Sequence, residues 1–153
     1  MLERAIALAV EKHAGQRDRH GEPYILHVLR VMLRMPDETC RIAAVLHDIV
    51  EDTDVTLAGL EALGVPGDAL EAVRLLTIEG EPDREGYLAH VAALSGHRVA
   101  RTVKRADLLD KLELGRTRQV GPDDLARFDR YLAALAILDR AEAVETPPVE
   151  DSD

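Results

Sequence analysis

The sequence is poor in aromatic residues, which make up 3% of the chain, and it contains one cysteine and no tryptophan. Because a single cysteine cannot form an internal disulfide, Cys40 argues against a disulfide-stabilised extracellular scaffold and fits a reducing compartment. No apolar run reaches the length of a membrane span, and no signal-peptide pattern opens the chain. We therefore expect a soluble, cytoplasmic protein that does not interact with membranes.

Basic residues are also scarce: the chain has 19 lysines and arginines but 29 aspartates and glutamates, which gives a formal net charge of −10. A negative field repels a nucleic-acid backbone, so we expect no binding to nucleic acid. A small phosphorylated substrate is compatible with this charge if a metal ion and local basic residues reverse its sign inside a cleft. At 153 residues, the chain has the length of one domain with a substantial core.

Alanine and leucine dominate the composition and β-branched residues occur singly, which predicts an all-α fold, with one helical-bundle domain over residues 1–144. Helical periodicity and the positions of glycine and proline predict the helix bounds. They are residues 2–14, 23–35, 38–51, 57–63, 66–77, 84–95, 97–114 and 122–144. In the last helix, five apolar residues form an amphipathic stripe, namely Leu125, Phe128, Leu132, Leu135 and Leu138. The acidic segment 145–153 contains two prolines and is predicted to be disordered.

The most informative segment is residues 46–53, Leu-His-Asp-Ile-Val-Glu-Asp-Thr, in an otherwise apolar helical pattern. At about 100° of rotation per residue, one arc of roughly 140° contains four polar side chains, those of His47, Asp48, Glu51 and Asp52. Charge beside a core is unfavourable unless it is paired or bound to a metal ion. The cluster therefore predicts a functional site, and the competing interpretation is a solvated helix end.

Two more polar residues lie in apolar helical surroundings, His27 in the second predicted helix and Asp107 in the seventh. Together with His47 and Asp48 they supply two imidazoles and two carboxylates, a mixed set that suits Mn²⁺, Fe²⁺ or Zn²⁺. Structural alternatives exist for both residues. His27 would then be a satisfied core histidine, and Asp107 would form a buried ion pair with Lys104.

The order His…His-Asp…Asp over three helices resembles the HD phosphohydrolase superfamily. Within it, the chain is most similar to the hydrolase domain of RelA/SpoT proteins and to its stand-alone relatives, the small alarmone hydrolases. Four segments carry this resemblance, HAGQ at 13–16, GEPYILH at 21–27, LHDIVEDT at 46–53 and VKRAD at 103–107. The resemblance extends from about Ala5 to Leu138.

The resemblance implies Mn²⁺-dependent removal of the 3′-pyrophosphate from guanosine tetra- or pentaphosphate, giving GDP or GTP and pyrophosphate. By matching position, the metal ligands would be His27, His47, Asp48 and Asp107. Glu51 and Asp52 would position and deprotonate the attacking water. The candidate substrate contacts are Arg17, Arg19, Lys104, Lys111 and Tyr87. For Arg17 and Arg19 the alternative is an ordinary loop charge, and for Tyr87 it is core packing or simple surface placement.

Three positions depart from the family pattern. Asp18 separates Arg17 from Arg19 where relatives usually carry a basic pair, and Lys111 replaces a common asparagine near the nucleotide. Val28 replaces the proline that commonly follows the first ligand histidine. The first two bear on nucleotide recognition, so a second hypothesis keeps the metal site but assigns another nucleotide or phosphorylated metabolite as substrate. A third hypothesis is a non-catalytic sensor that binds metal and nucleotide. The sequence does not indicate the oligomeric state.

Overall fold

The structure is a computed structural model that describes residues 1–113 and 120–145. Its helices are α1 (Leu2–Lys12), α2 (Ile25–Leu33), α3 (Glu38–Leu46), α4 (Ile49–Asp52), α5 (Leu57–Leu63), α6 (Gly67–Leu76), α7 (Arg84–Leu94), α8 (Arg98–Lys111) and α9 (Pro122–Glu145). Across the described ranges, the one β contact is an isolated bridge between Arg17 and Pro23. The prediction of an all-α fold is confirmed.

Helix α3 lies at the centre of the fold and packs against α1, α2, α6 and α8. Every residue from Ile42 to Leu46 is buried, which shows that other helices surround this part of α3 on most sides. Its N-cap Asp37 accepts a hydrogen bond from the backbone N–H of Cys40 at 2.8 Å, which fixes where the helix begins. The carboxyl end of α3 therefore delivers His47 and Asp48 into the interior.

The predicted helix 38–51 is wrong in one respect, because it is interrupted at His47 and Asp48. Asp48 has φ −104° and ψ 0°, outside the α-helical range. The Nδ1 atom of His47 lies 2.7 Å from the carbonyl oxygen of Ala44, the acceptor that a continuous helix would offer to the N–H of Asp48. The polar residues of this segment therefore lie on a turn followed by the short α4, and not on one continuous helical arc.

The shorter helices begin and end close to the predicted residues. Thr56 caps α5 by accepting a hydrogen bond from the N–H of Gly59 at 3.1 Å, and Gly64 ends that helix at φ +88°. The left-handed conformation explains the glycine at this position. Leu114 and residues 146–153, which include most of the predicted acidic tail, lie outside the described residues.

Helix α9 packs against α7 and α8, but the predicted apolar stripe only partly faces them. Leu125 and Leu132 are 61% and 58% exposed, whereas Ala134 and Leu138 are fully buried. The inward face thus includes Ala134 and Tyr131, which the predicted stripe did not contain. In the chain segments that the structure describes, no helix is both long and apolar enough to cross a membrane.

Candidate metal centre

Four side chains predicted from the sequence meet at the turn between α3 and α4. The Nε2 atom of His27, from α2, lies 3.2 Å from Oδ1 of Asp107 and 3.9 Å from Oδ2 of Asp48. The Nε2 atom of His47 lies 2.8 Å from the same Asp48 oxygen and 3.7 Å from the same Asp107 oxygen. Helices α2 and α8 and the turn between α3 and α4 therefore bring two imidazoles and two carboxylates together.

The two imidazoles are oriented by their other ring nitrogen. Nδ1 of His27 lies 2.7 Å from Oδ2 of Asp110, and Nδ1 of His47 lies 2.7 Å from the carbonyl of Ala44. Both acceptors favour a proton on Nδ1, which directs the Nε2 lone pair towards Asp107. Both Nε2 atoms are buried and, among the described residues, neither makes a hydrogen bond of good geometry. This orientation suits imidazoles that bind a cation.

A compact group of three ligand atoms, one each from His27, His47 and Asp107, fits within 4.8 Å. Such a group of two imidazoles and a carboxylate can hold a divalent metal ion. Asp48 lies outside this compact group, although its Oδ2 is next to His47. Burial acts to lower the pKa of His47, but Asp48 and Asp107 raise it to about 10. The carboxylates therefore favour a positive charge here, either a proton on His47 or a bound cation.

Asp110, which the sequence did not single out, is fully buried behind His27 and forms an ionic network with two arginines whose side chains are partly exposed. Besides its contact with His27, it accepts a hydrogen bond from Nε of Arg30 at 2.9 Å and lies 3.4 Å from Nη1 of Arg34. Burial acts to raise the pKa of Asp110, but the hydrogen bonds from His27 and Arg30 hold it below its ordinary value. The only signal in the sequence is its position three residues after Asp107.

Tyr24 is a second residue that the sequence did not assign, and its hydroxyl donates a hydrogen bond to Oδ2 of Asp48. Its ring also lies beside that of His27, with centroids 5.4 Å apart. Burial acts to raise the pKa of Asp48, but the charges of His47 and Lys111 lower it. Tyr24 therefore orients a carboxylate that remains ionised.

Two lysines of α8 neutralise Asp107 from opposite oxygens. Nζ of Lys104 lies 3.1 Å from Oδ2, and Nζ of Lys111 lies 2.8 Å from Oδ1. Burial acts to raise the pKa of Asp107, but Lys111 and Lys104 lower it well below its ordinary value. The ion pair with Lys104 considered as an alternative is present, yet it leaves Oδ1 facing both imidazoles.

Glu51 and Asp52 lie on α4, one turn after the His47–Asp48 pair, and both are exposed. Oε2 of Glu51 accepts a hydrogen bond from the N–H of Ile78 at 3.1 Å, and the Asp52 carbonyl accepts one from Nε2 of Gln16 at 3.0 Å. Partial burial raises the pKa of both acids, and the charge of Asp48 raises it further. Raised pKa values favour a carboxylate that accepts a proton.

The remaining predicted substrate contacts are placed differently. Arg17 is exposed and donates to the carbonyl of Gly21 at 2.7 Å, and Arg19 is exposed on the same loop. Tyr87 is 7% exposed, and its ring packs against Nζ of Lys104 at 5.5 Å and the guanidinium of Arg130 at 4.7 Å. The packing alternative for Tyr87 therefore has structural support. The sequence did not predict the contact of Arg130 because only the folded structure brings α9 next to the Tyr87 ring.

No family model matches the chain, but comparisons with known proteins find relatives named as guanosine-3′,5′-bis(diphosphate) 3′-pyrophosphohydrolases and others named as probable GTP pyrophosphokinases. The guanosine-3′,5′-bis(diphosphate) 3′-pyrophosphohydrolase MESH1 of Drosophila melanogaster is 36% identical over 115 residues, which are 68% of this chain and 63% of that protein. An Aquifex aeolicus protein named guanosine-3′,5′-bis(diphosphate) 3′-pyrophosphohydrolase is 48% identical over 59 residues, 36% of this chain and 8% of its own length. The chain thus spans less than two thirds of these curated relatives.

A solved structure is similar over nearly the whole length of both chains. It is described as a metazoan ortholog of SpoT that hydrolyses ppGpp and plays a role in starvation responses. The match has a TM-score of 0.73 and 26% sequence identity, and it covers 94% of each chain. The His…His-Asp…Asp cluster, the all-α fold and these relatives together show that the chain belongs to the HD-domain family of the small alarmone hydrolases.

Proposed function

We propose that this protein removes the 3′-pyrophosphate from guanosine tetra- or pentaphosphate in a metal-dependent hydrolysis that yields GDP or GTP and pyrophosphate. The observation that carries the proposal is the convergence of His27, His47 and Asp107 beside an acidic pair, in a chain whose fold matches that of a ppGpp hydrolase. The names of the relatives support the same substrate.

The metal ligands in this proposal are His27, His47, Asp48 and Asp107, and the metal is Mn²⁺, with Fe²⁺ and Zn²⁺ as alternatives. The fit rests on two buried Nε2 atoms that have no hydrogen-bond partner among the described residues and that face carboxylate oxygens. When bound, a divalent ion lowers the pKa of its water and polarises the phosphoryl oxygen. Tyr24 and Asp110 orient Asp48 and His27 for this role.

Glu51 and Asp52 act on the water in this proposal. A carboxylate with a raised pKa accepts the proton of the attacking water more readily than an ordinary exposed carboxylate does. Lys104 and Lys111 provide positive charge next to Asp107, where it stabilises negative charge on a phosphate group. Arg17, Arg19 and Tyr87 are proposed as contacts to the rest of the nucleotide.

The test is a turnover assay on chelator-treated protein reloaded separately with Mn²⁺, Fe²⁺ or Zn²⁺. We expect guanosine tetraphosphate to give GDP and pyrophosphate, resolved by chromatography, only when metal is present. Asp48→Ala and Asp107→Ala should abolish tight metal binding and turnover while the helical circular-dichroism spectrum is retained. Full metal occupancy in both variants would remove these residues from the ligand set.

A second candidate function keeps the metal site but changes the nucleotide. Lys111 favours it, because an ammonium group offers a point charge where the family's asparagine offers both a donor and an acceptor to a base. In a panel of 3′-pyrophosphorylated nucleotides, Lys111→Asn should increase the preference for guanine over adenine. Binding of nucleotides without turnover of any would instead indicate the non-catalytic sensor, against which the Glu51–Asp52 pair argues.

A further inference from the structure

We infer that Lys111 is an internal competitor of the metal ion: its ammonium group pairs with the carboxylate oxygen that faces both imidazoles, so metal binding must displace it. This inference rests on the proposed metal site. It assigns to Lys111 control of metal affinity, a role distinct from contact with the substrate.

Three groups share one oxygen of Asp107. Oδ1 lies 2.8 Å from Nζ of Lys111, 3.2 Å from Nε2 of His27 and 3.7 Å from Nε2 of His47. A cation held by these imidazoles and this oxygen would be within a few ångströms of the ammonium group. Repulsion between like charges at that separation is strong where protein excludes water. The ammonium group in this position therefore disfavours a metal ion at the same oxygen, and metal binding in turn favours displacement of the ammonium group.

Lys104 also pairs with Asp107, but it differs from Lys111 in the oxygen that it contacts and in its exposure to solvent. Its Nζ contacts the other oxygen of Asp107, Oδ2, at 3.1 Å, and the ammonium group also lies 5.5 Å from the centre of the Tyr87 ring. The Lys104 side chain is 9% exposed, whereas that of Lys111 is 32% exposed. Lys104 is thus confined in the interior and holds Asp107 in position from the side away from the imidazoles.

The position of Lys111 at the end of α8 allows its ammonium group to move away from Asp107. Lys111 is the last residue of α8, so its side chain can turn towards solvent without disturbing a following helical turn. Besides Asp107, the charge of Asp48 also stabilises its ammonium group. Once displaced, the ammonium group would lie at the edge of the metal site, where a phosphate group could neutralise it.

The first measurement is the dissociation constant of Mn²⁺, determined by titration calorimetry on the full chain. Lys111→Asn and Lys111→Met should each bind Mn²⁺ at least about tenfold more tightly than the unsubstituted protein, because the competing charge is gone. Lys12→Met is the matched control, since Lys12 pairs with the exposed Asp54 and should leave the affinity unchanged. Lys104→Met should have a smaller effect than either Lys111 variant.

The second measurement follows the ammonium group itself. The chain contains three lysines, Lys12, Lys104 and Lys111, so chemical acetylation followed by mass spectrometry resolves each of them. On addition of Mn²⁺ the labelling rate of Lys111 should increase several-fold, while Lys104 remains protected and Lys12 does not change. A Lys111 rate that stays constant or falls while Mn²⁺ binds would overturn the inference.

The two proposals fail in different ways. If the unsubstituted protein binds Mn²⁺ and both Lys111 variants bind it with the same or lower affinity, Lys111 is not a competitor and the metal site stands. If the unsubstituted protein and all variants bind no Mn²⁺, Fe²⁺ or Zn²⁺, the proposed metal site is overturned and the inference with it.

Discussion

Substitution of the exposed acids of α4 tests whether the protein is an enzyme or only binds metal and nucleotide. Glu51→Gln and Asp52→Asn preserve size but remove the proton acceptor, so turnover should fall by about 10²- to 10⁴-fold while metal remains bound. Steady-state assays and metal analysis of the same samples test this. Glu61→Gln on α5 is a matched control, since it alters another exposed acid. Near-normal turnover in both α4 variants would place water activation elsewhere.

The raised pKa values of these acids also set a pH dependence. Partial desolvation of these exposed side chains and the charge of Asp48 raise the pKa of Glu51 and Asp52, and a general base acts only when it is deprotonated. Activity should therefore increase with pH through an acidic limb that lies above about 4, the ordinary range of carboxylates. The profile of kcat/KM against pH at saturating metal shows this limb, and the substitution that removes the base should eliminate it.

The buried Asp110 is predicted to act through His27. Asp110→Asn removes the charge that holds the His27 ring, so metal affinity should fall by about 10- to 100-fold, as for other residues that orient ligands. Calorimetry with Mn²⁺ measures the change. Asp139→Asn serves as control, because Asp139 forms an exposed ion pair with Arg105 of α8. Equal affinities in the two variants would show that Asp110 is not needed to orient His27.

The residues that the sequence predicted and those that it missed differ in how far their contacts reach. His27, His47, Asp48 and Asp107 could be singled out as candidate ligands because each is polar within an apolar helical pattern and because each matches a position of the family motif. The role of Asp110 depends on Arg30 and His27, which lie 80 and 83 positions earlier in the chain. No periodicity within one helix reveals such a contact, since packing of α2 against α8 creates it.

Among the helices, ends defined by caps were predicted well and the break between α3 and α4 was not. Thr56 and Gly64 mark the ends of α5 through contacts within three or four residues. The break has a different origin, because the side chain of His47 contacts the carbonyl of Ala44 in competition with the helix itself. Sequence periodicity favours a continuous helix there, since the flanking residues are apolar at helical spacing.

The N-terminal cap of the central helix α3 gives a prediction about helix stability. Asp37 accepts the N–H of Cys40 and also pairs with Arg98 of α8 at 3.1 Å. Asp37→Ala should therefore lower the free energy of unfolding by about 1 kcal/mol, most of it from the lost cap. Urea denaturation measures the change. Asp37→Asn retains a capping oxygen, so its free energy of unfolding should decrease much less. An equal decrease in the two variants would show that the ion pair with Arg98 contributes more than the cap.

In the whole molecule, the surface and the buried site respond to acid in opposite directions. The formal net charge of −10 disfavours the compact state through self-repulsion, and protonation of surface acids relieves it as the pH falls from 7. The site depends on ionised carboxylates, since positive neighbours lower the pKa of Asp48, Asp107 and Asp110 in the fold. The molecule should therefore be most stable in mildly acidic solution.

The loss of stability at low pH can be assigned to the buried carboxylates of the site. A carboxylate whose pKa is lower in the folded than in the unfolded chain stabilises the fold above the unfolded value, about 3.9 for aspartate. That stabilisation is lost as the pH falls further. In the presence of chelator, the free energy of unfolding should thus decrease from about pH 4 downwards, and it should decrease less steeply in Asp110→Asn, which lacks one of the linked protons. Urea denaturation between about pH 6 and pH 2 measures both slopes. Parallel curves would contradict a linked Asp110 proton, and Asp139→Asn, which alters an exposed aspartate, should follow the unsubstituted protein.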